Sequence, residues 1–113
     1  MHELSIAQSL LGIVLQEASR HGVGRVTKVA VKIGALAGVV PSSLTFSFDL
    51  IKEGTAASEA LLEIERVPAM GVCHAFGDQM DMSELVAACP ACGSRDIELC
   101  SGQELYVDHI EAE

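Results

Sequence analysis

Cys73, His74, Cys89 and Cys92 fall within twenty residues of one another, and three thiols with an imidazole at such spacing are a metal-ligand set before they are anything else. Cys89-Pro-Ala-Cys-Gly93 has the form of a zinc knuckle. Cys-x-x-Cys lets two thiolates converge from one tight turn. The following glycine accepts positive φ, so backbone N–H groups can turn toward the sulfurs. Sixteen residues upstream, Cys73-His-Ala-Phe-Gly77 repeats the frame, but Phe76 stands where the second thiol belongs. Two such knuckles mark a zinc ribbon, here with three thiols. The fourth donor has three candidates. His74 would give a Cys₃His site, provided the chain bends there, because neighbours on an extended strand point to opposite faces. Cys100 lies eight residues past Cys92, on a strand expected to run away from the knuckle. The third is an open position, filled by water or by another chain. The bland alternative for Cys73 and Cys100 is a buried small hydrophobe; the Pro and Gly around Cys89 and Cys92 argue against it for that pair. Four-coordinate zinc in a ribbon is structural and holds a segment that would not otherwise fold.

His2 is the second place where chemistry is expected. The bulky second residue protects the initiator Met, so the mature chain is expected to begin at Met1. The α-amine, the backbone amide nitrogens and the His2 imidazole can then reach one cation. An amine with pKa near ~8 gives up its proton for a metal close to neutrality. Nitrogen donors in a plane suit Ni²⁺ or Cu²⁺, and the exposed terminus makes such a site labile, as a metal to be handed on requires. Against this stands the frayed terminal histidine of most proteins. His21 reads as a favourable C-terminal helix residue, and His109 as a packed or solvated strand residue.

These residues need a scaffold. Residues 4–21 carry Ile6, Leu10, Ile13, Val14 and Leu15 at helical steps, with Gly22 as the stop. Residues 25–33 alternate, Val29, Val31 and Ile33 against Lys28 and Lys32, as a half-buried strand does. Pro41 with Ser42 or Ser43 opens a second helix, whose face is Leu44, Phe48 and Ile51 and whose stop is Gly54. Residues 60–67 form a second strand, and the alternating residues after Gly102 form a last one that returns to the first sheet. Between them, residues 69–102 hold all four cysteines and few large aliphatics, too few for a core by apolar burial. The class expected is α+β: two helices on a small three-stranded mixed sheet, with an inserted zinc-ribbon lobe. The domains are 1–68 completed by 103–113, and 69–102.

The bulk numbers narrow the function. The 113 residues fit one domain with an appendage, and half are hydrophobic. A net charge of −9 repels phosphate backbones, so nucleic acid is excluded and cations or basic proteins fit better. There is no basic leader before an apolar run and no stretch of about 18 apolar residues, so a cytoplasmic chain without a membrane span is expected. Cysteines there bind metal rather than pair.

MHELSIAQSLL, VKIGALAGVVPSSLTFSFDLIKEGT, CPACGS and SGQELYVDHIE, in this order, resemble the HypA/HybF nickel-insertion accessory proteins of hydrogenase maturation, over essentially the whole chain. The resemblance implies a metallochaperone rather than an enzyme. It carries Ni(II) as transient cargo on His2, with the terminal amine and nearby amides including that of Glu3. It also implies a structural Zn(II) on Cys73, Cys89 and Cys92. Its implied partners are a nickel-maturation GTPase and the hydrogenase large-subunit precursor, and in some bacteria urease maturation proteins. Two positions depart from the family pattern. The fourth zinc thiol falls at Phe76, and the carboxylate that some members carry falls at Val40.

A different reading is a zinc-ribbon adaptor that binds only proteins. A zinc hydrolase is disfavoured, because catalytic zinc needs an open position beside a general base, and Asp78 and Glu84 lack that spacing. The short Pro68 hinge would also permit a homodimer that exchanges zinc lobes.

Overall fold

The computed structural model describes residues 3–74, 77, 79–82, 89 and 93–113. Helix α1 spans Glu3–Arg20 and buries Ala7, Leu10, Leu11, Val14 and Ala18. That stripe shares Leu10 and Val14 with the one expected but is rotated from it: Ile13 is exposed, and Leu11 with small Ala7 and Ala18 take inward places. The helix ends in a Schellman motif. The amide of Val23 donates to the Ala18 carbonyl at 2.9 Å and that of Gly22 to Ser19 at 3.2 Å. Gly22 has the positive φ of 67° that this closure requires.

Strand β1 is Val26–Gly34, α2 is Pro41–Ile51, β2 is Leu61–Val67 and the last strand, β6, is Leu105–Ala112. The sheet order is β2-β1-β6. Lys28 meets Glu63 at 3.0 Å and Ala35 N donates to the Val67 carbonyl at 2.9 Å, so β1 and β2 advance together and are parallel. Glu113 N bonds the Arg25 carbonyl while Gly34 N bonds that of Glu104, so β6 runs antiparallel to β1. The sheet is mixed, as expected for strands joined by one helical crossover. The outward face of β1 carries Lys28 between Glu63 and Glu111, and Lys32 near Glu65 and Asp108. These lysines neutralise part of the acidic excess on that face.

Chain packing divides the protein into two compact units, 1–32 with 38–65 and 106–113, and 33–37 with 66–105. In the first, Leu10 and Val14 of α1, Val29 and Val31 of β1, Leu44 and Phe48 of α2 and Leu62 of β2 make the core. In the second, strands β3 (Met70–Cys73), β4 (Gln79–Asp81) and β5 (Ile97–Ser101) form a small antiparallel sheet in the order β4-β3-β5. Among its described residues from 66 to 105 the only buried side chains beyond glycine are Ala69, Cys73, Met82 and Cys89. Burial of these described side chains alone is small against an ordering cost of about 1–2 kcal/mol per residue.

Candidate metal centre

Cys73 ends β3 and has no exposed surface; Cys89 is 3% exposed. Each begins the same turn. Gly77 N donates to the Cys73 carbonyl at 2.6 Å, and Gly93 N to the Cys89 carbonyl at 2.7 Å. Both glycines are left-handed, with φ of 73° and 75°. A side chain at either position would strain the turn, which is why the residue after a knuckle is glycine. A further bond from Cys89 N to the Ser94 carbonyl, 2.7 Å, closes the second loop. So the described ends of the half-knuckle, Cys73 and Gly77, are joined by the same bond as the ends of the complete one, Cys89 and Gly93, although the sequence has Phe76 in place of a thiol. Two turns of this kind fit a zinc ribbon. Cys92 and Phe76 lie outside the described residues. When bound there, zinc would supply a covalent-like crosslink between turns in place of a core.

The fourth donor is where sequence and structure part. His74 follows the buried Cys73, and its own side chain is 45% exposed. Cys73 pairs with Ile97 and Val72 with Glu98 across β5. The His74 amide continues that ladder to the Asp96 carbonyl at 2.9 Å. With one residue per face, His74 shares its face with Asp96 and Glu98, opposite Cys73. Its Nε2 lies 2.8 Å from Glu98 Oε2, and its Nδ1 3.8 Å from Asp96 Oδ2. The Glu98 hydrogen bond and the Asp96 charge hold its pKa above the ordinary imidazole value. The bend that would have turned His74 toward the thiols is not made. No three His, Cys, Asp or Glu side chains converge to hold a metal among the described residues.

Cys100 is remote for a different reason. β3 and β5 shift register between Gly71↔Leu99 and Met70↔Ser101, leaving Cys100 as the extra residue of a bulge. It is exposed, and its Sγ donates to the Glu98 carbonyl at 3.7 Å. It stands three residues along β5 from the level of Cys73, about 10 Å at strand rise, where zinc–sulfur bonds are about 2.3 Å.

His2, the candidate nickel ligand, also lies outside the described residues. Its neighbour Glu3 does not. Val40 N donates to Glu3 Oε2 at 3.4 Å, so the first turn of α1 meets the start of α2. Val40 is the N-cap of α2 and Pro41 its first residue; neither Ser42 nor Ser43 caps it. A carboxylate borrowed from another helix takes the place of the serine expected, and it suits the positive end of the dipole. Sequence periodicity carries no signal for a contact between residues 37 positions apart. Around it, Leu4, Val40, Phe46 and Leu50 are exposed, and Glu3, Leu4, Ser42, Ser43, Phe46 and Ser47 line a shallow hollow of about 380 Å³.

Residues 1–112 match the family model described as "Hydrogenase/urease nickel incorporation, metallochaperone, hypA". The chain is 39% identical over 113 residues to the hydrogenase maturation factor HypA of Acidithiobacillus ferrooxidans, covering all of both chains. It is 42% identical over 113 residues to HypA of Chlorobium limicola, covering 100% of this chain and 97% of that one. Its fold is similar to the solution structure of the Ni metallochaperone HypA from Helicobacter pylori, with a TM-score of 0.70 and 22% identity over 99% of this chain and 97% of that one. With a mixed sheet under two helices, two knuckle turns and a match from end to end, this chain belongs to the HypA family of hydrogenase/urease nickel-incorporation metallochaperones, which are maturation factors and not enzymes.

Proposed function

We propose that this chain binds Ni(II) at its N-terminus and helps insert it into the [NiFe]-hydrogenase large subunit, while a structural Zn(II) holds the second unit. The observation that carries this reading is the family match over residues 1–112, with His2 directly after Met1. The His2 imidazole, the terminal amine and the adjacent amides, including that of Glu3, form the donor set. Planar nitrogen donors suit Ni²⁺ over Zn²⁺. The Glu3–Val40 hydrogen bond ties the residue that follows His2 to the start of α2. The net charge of −9 favours the cation and basic partner surfaces. Zinc is assigned to Cys73, Cys89 and Cys92.

The partners that follow are a nickel-maturation GTPase and the hydrogenase large-subunit precursor, with urease maturation proteins where that enzyme is made. The compartment is the cytoplasm. Among the described residues no helix is long and apolar enough to cross a membrane.

The test is complementation of a bacterium that lacks its own family member and depends on a [NiFe]-hydrogenase. The wild-type chain restores hydrogenase activity and nickel in the large subunit; His2→Ala restores neither, although it accumulates to the same level. If His2→Ala works as well as wild type while knuckle variants fail, the chain is a zinc-ribbon adaptor and the nickel reading is wrong.

A further inference from the structure

We propose that the flank of α1 and the outer edge of β6 form a docking groove for an extended segment of a partner polypeptide, one in which apolar and basic side chains alternate, laid along β6 as a fourth strand. Every residue of the groove belongs to the first unit, and neither proposed metal site contributes to it.

Width creates the groove. Two packed helices roof about 20 Å, whereas three strands make a floor of only about 14 Å. The helix layer therefore overhangs the sheet by the room of one strand. It does so beside β6. There Ile13, Glu17 and His21, at steps of four along α1, lie with Val107 and Ile110 around a hollow of about 570 Å³. Ile13 is 48% exposed, although it has the apolar character of a core position. Val107 and Ile110 are only half-buried. Among the described residues β6 is an edge of the β2-β1-β6 sheet, and an edge strand offers backbone donors and acceptors to a strand laid against it.

The two faces of β6 define what fits. Toward the groove, an added strand meets Ile13, Val107 and Ile110, so its inward side chains must be apolar. On the outward face the charges alternate from strand to strand. Glu63 and Glu65 of β2 flank Lys28 and Lys32 of β1, and these in turn meet Glu111 and Asp108 of β6. Opposite charges on neighbouring strands stabilise a sheet and like charges oppose it, so the next strand in this series is basic. A second copy of this chain fits poorly for the same reason, because its edge strands β2 and β6 carry acids outward. Asp108 and Glu111 reach the same lysine face although they are three residues apart, and Val107 and Ile110, also three apart, both line the groove. The alternation of β6 thus slips by one residue near His109. Such a slip in an edge strand hinders indiscriminate pairing, so side-chain pattern decides what binds as much as backbone hydrogen bonding does.

The test is a titration of the isotope-labelled full chain with a synthetic peptide of alternating Val and Lys, its ends blocked, as long as the eight residues of β6. Two comparison peptides have the same residues in two blocks, or Val alternating with Glu. NMR should show saturable shifts at the Ile13, Val107 and Ile110 methyl groups and slower exchange of β6 amides. The alternating basic peptide should bind at least about tenfold more tightly than either comparison peptide. Ile13→Asp should weaken it by at least about tenfold, as loss of an apolar anchor does, and should leave the melting temperature nearly unchanged because that side chain already meets water. Asp108→Lys combined with Glu111→Lys should reverse the preference in favour of the Val/Glu peptide. No saturable binding, equal binding of the basic and acidic peptides, or full binding by Ile13→Asp would overturn the proposal. So would shifts centred on exposed Leu4, Phe46 and Leu50 instead. Shifts at β6 that grow with protein concentration in the absence of peptide would also overturn it, and would make a second copy of the chain the occupant.

Discussion

Glu3 sits in the first turn of α1, yet its carboxylate accepts from the amide of Val40 at the head of α2. That bond satisfies one of the donors a helix start leaves unpaired, in a helix whose N-cap side chain makes no such bond. Glu3→Ala is expected to speed amide exchange at Val40 and to lower the melting temperature. Glu3→Gln, which keeps an accepting oxygen without the charge, should recover part of the loss. Equal exchange in all three chains would show that the contact stabilises nothing. A second side chain sets a pH dependence. The His109 hydrogen bond at 2.8 Å, helped by Lys32, holds the Asp108 carboxyl below its ordinary value. A depressed acid stabilises the fold above its unfolded pKa, and the contribution fades as pH falls through the folded value. Titration of the Asp108 carboxyl carbon by NMR should give a midpoint below that of a free aspartate. His109→Ala should move it upward.

At the level of elements, what the sequence revealed depended on how local the cause was. The end of α1 was legible because Gly22, Ala18 and Val23 close it within six residues. The alternation of β1 was legible because Lys28 and Lys32 face acids while Val29, Val31 and Ile33 are buried. The start of α2 was not, since its partner is 37 residues away. Nor was the three-stranded sheet around Cys73: β4 has three residues and β3 four, too short for a period to show. The candidate metal donors divide the same way. Spacing alone singled out the Cys73 and Cys89 turns, and the structure gives both the same closure. The placement of His74 depended on Glu98, 24 residues on and across a sheet that spacing did not reveal. Two substitutions test the packing. Phe48 is fully buried in α2, so Phe48→Ala should cost about 3–5 kcal/mol in denaturant unfolding of the first unit. A Cβ on Gly34 would come within 2.0 Å of the Gly102 carbonyl. Gly34→Ala should therefore cost at least about 2 kcal/mol, and a neutral result would mean that the backbone there is free to shift.

For the whole molecule, two compact units imply two kinds of stability. The first has an apolar core that includes Leu10, Val14, Leu44 and Phe48; among the described residues of the second the buried side chains are Ile33, Ala69, Met82 and two thiols. If zinc holds the second unit as proposed, its chelation should abolish amide protection in β3 and β5 while α1 and α2 keep theirs. Uniform loss across the chain would mean that the units fold as one. The nickel site proposed at His2 falls in the first unit's stretch of sequence and should survive that treatment at least in part. Its decisive measurement is equilibrium dialysis of the native, untagged chain against Ni(II), with elemental analysis, for wild type and His2→Ala. About one nickel per chain is expected in the wild type, held by the terminal nitrogens, with loss of that nickel on substitution. Equal uptake by both chains, or none by the wild type, would contradict it.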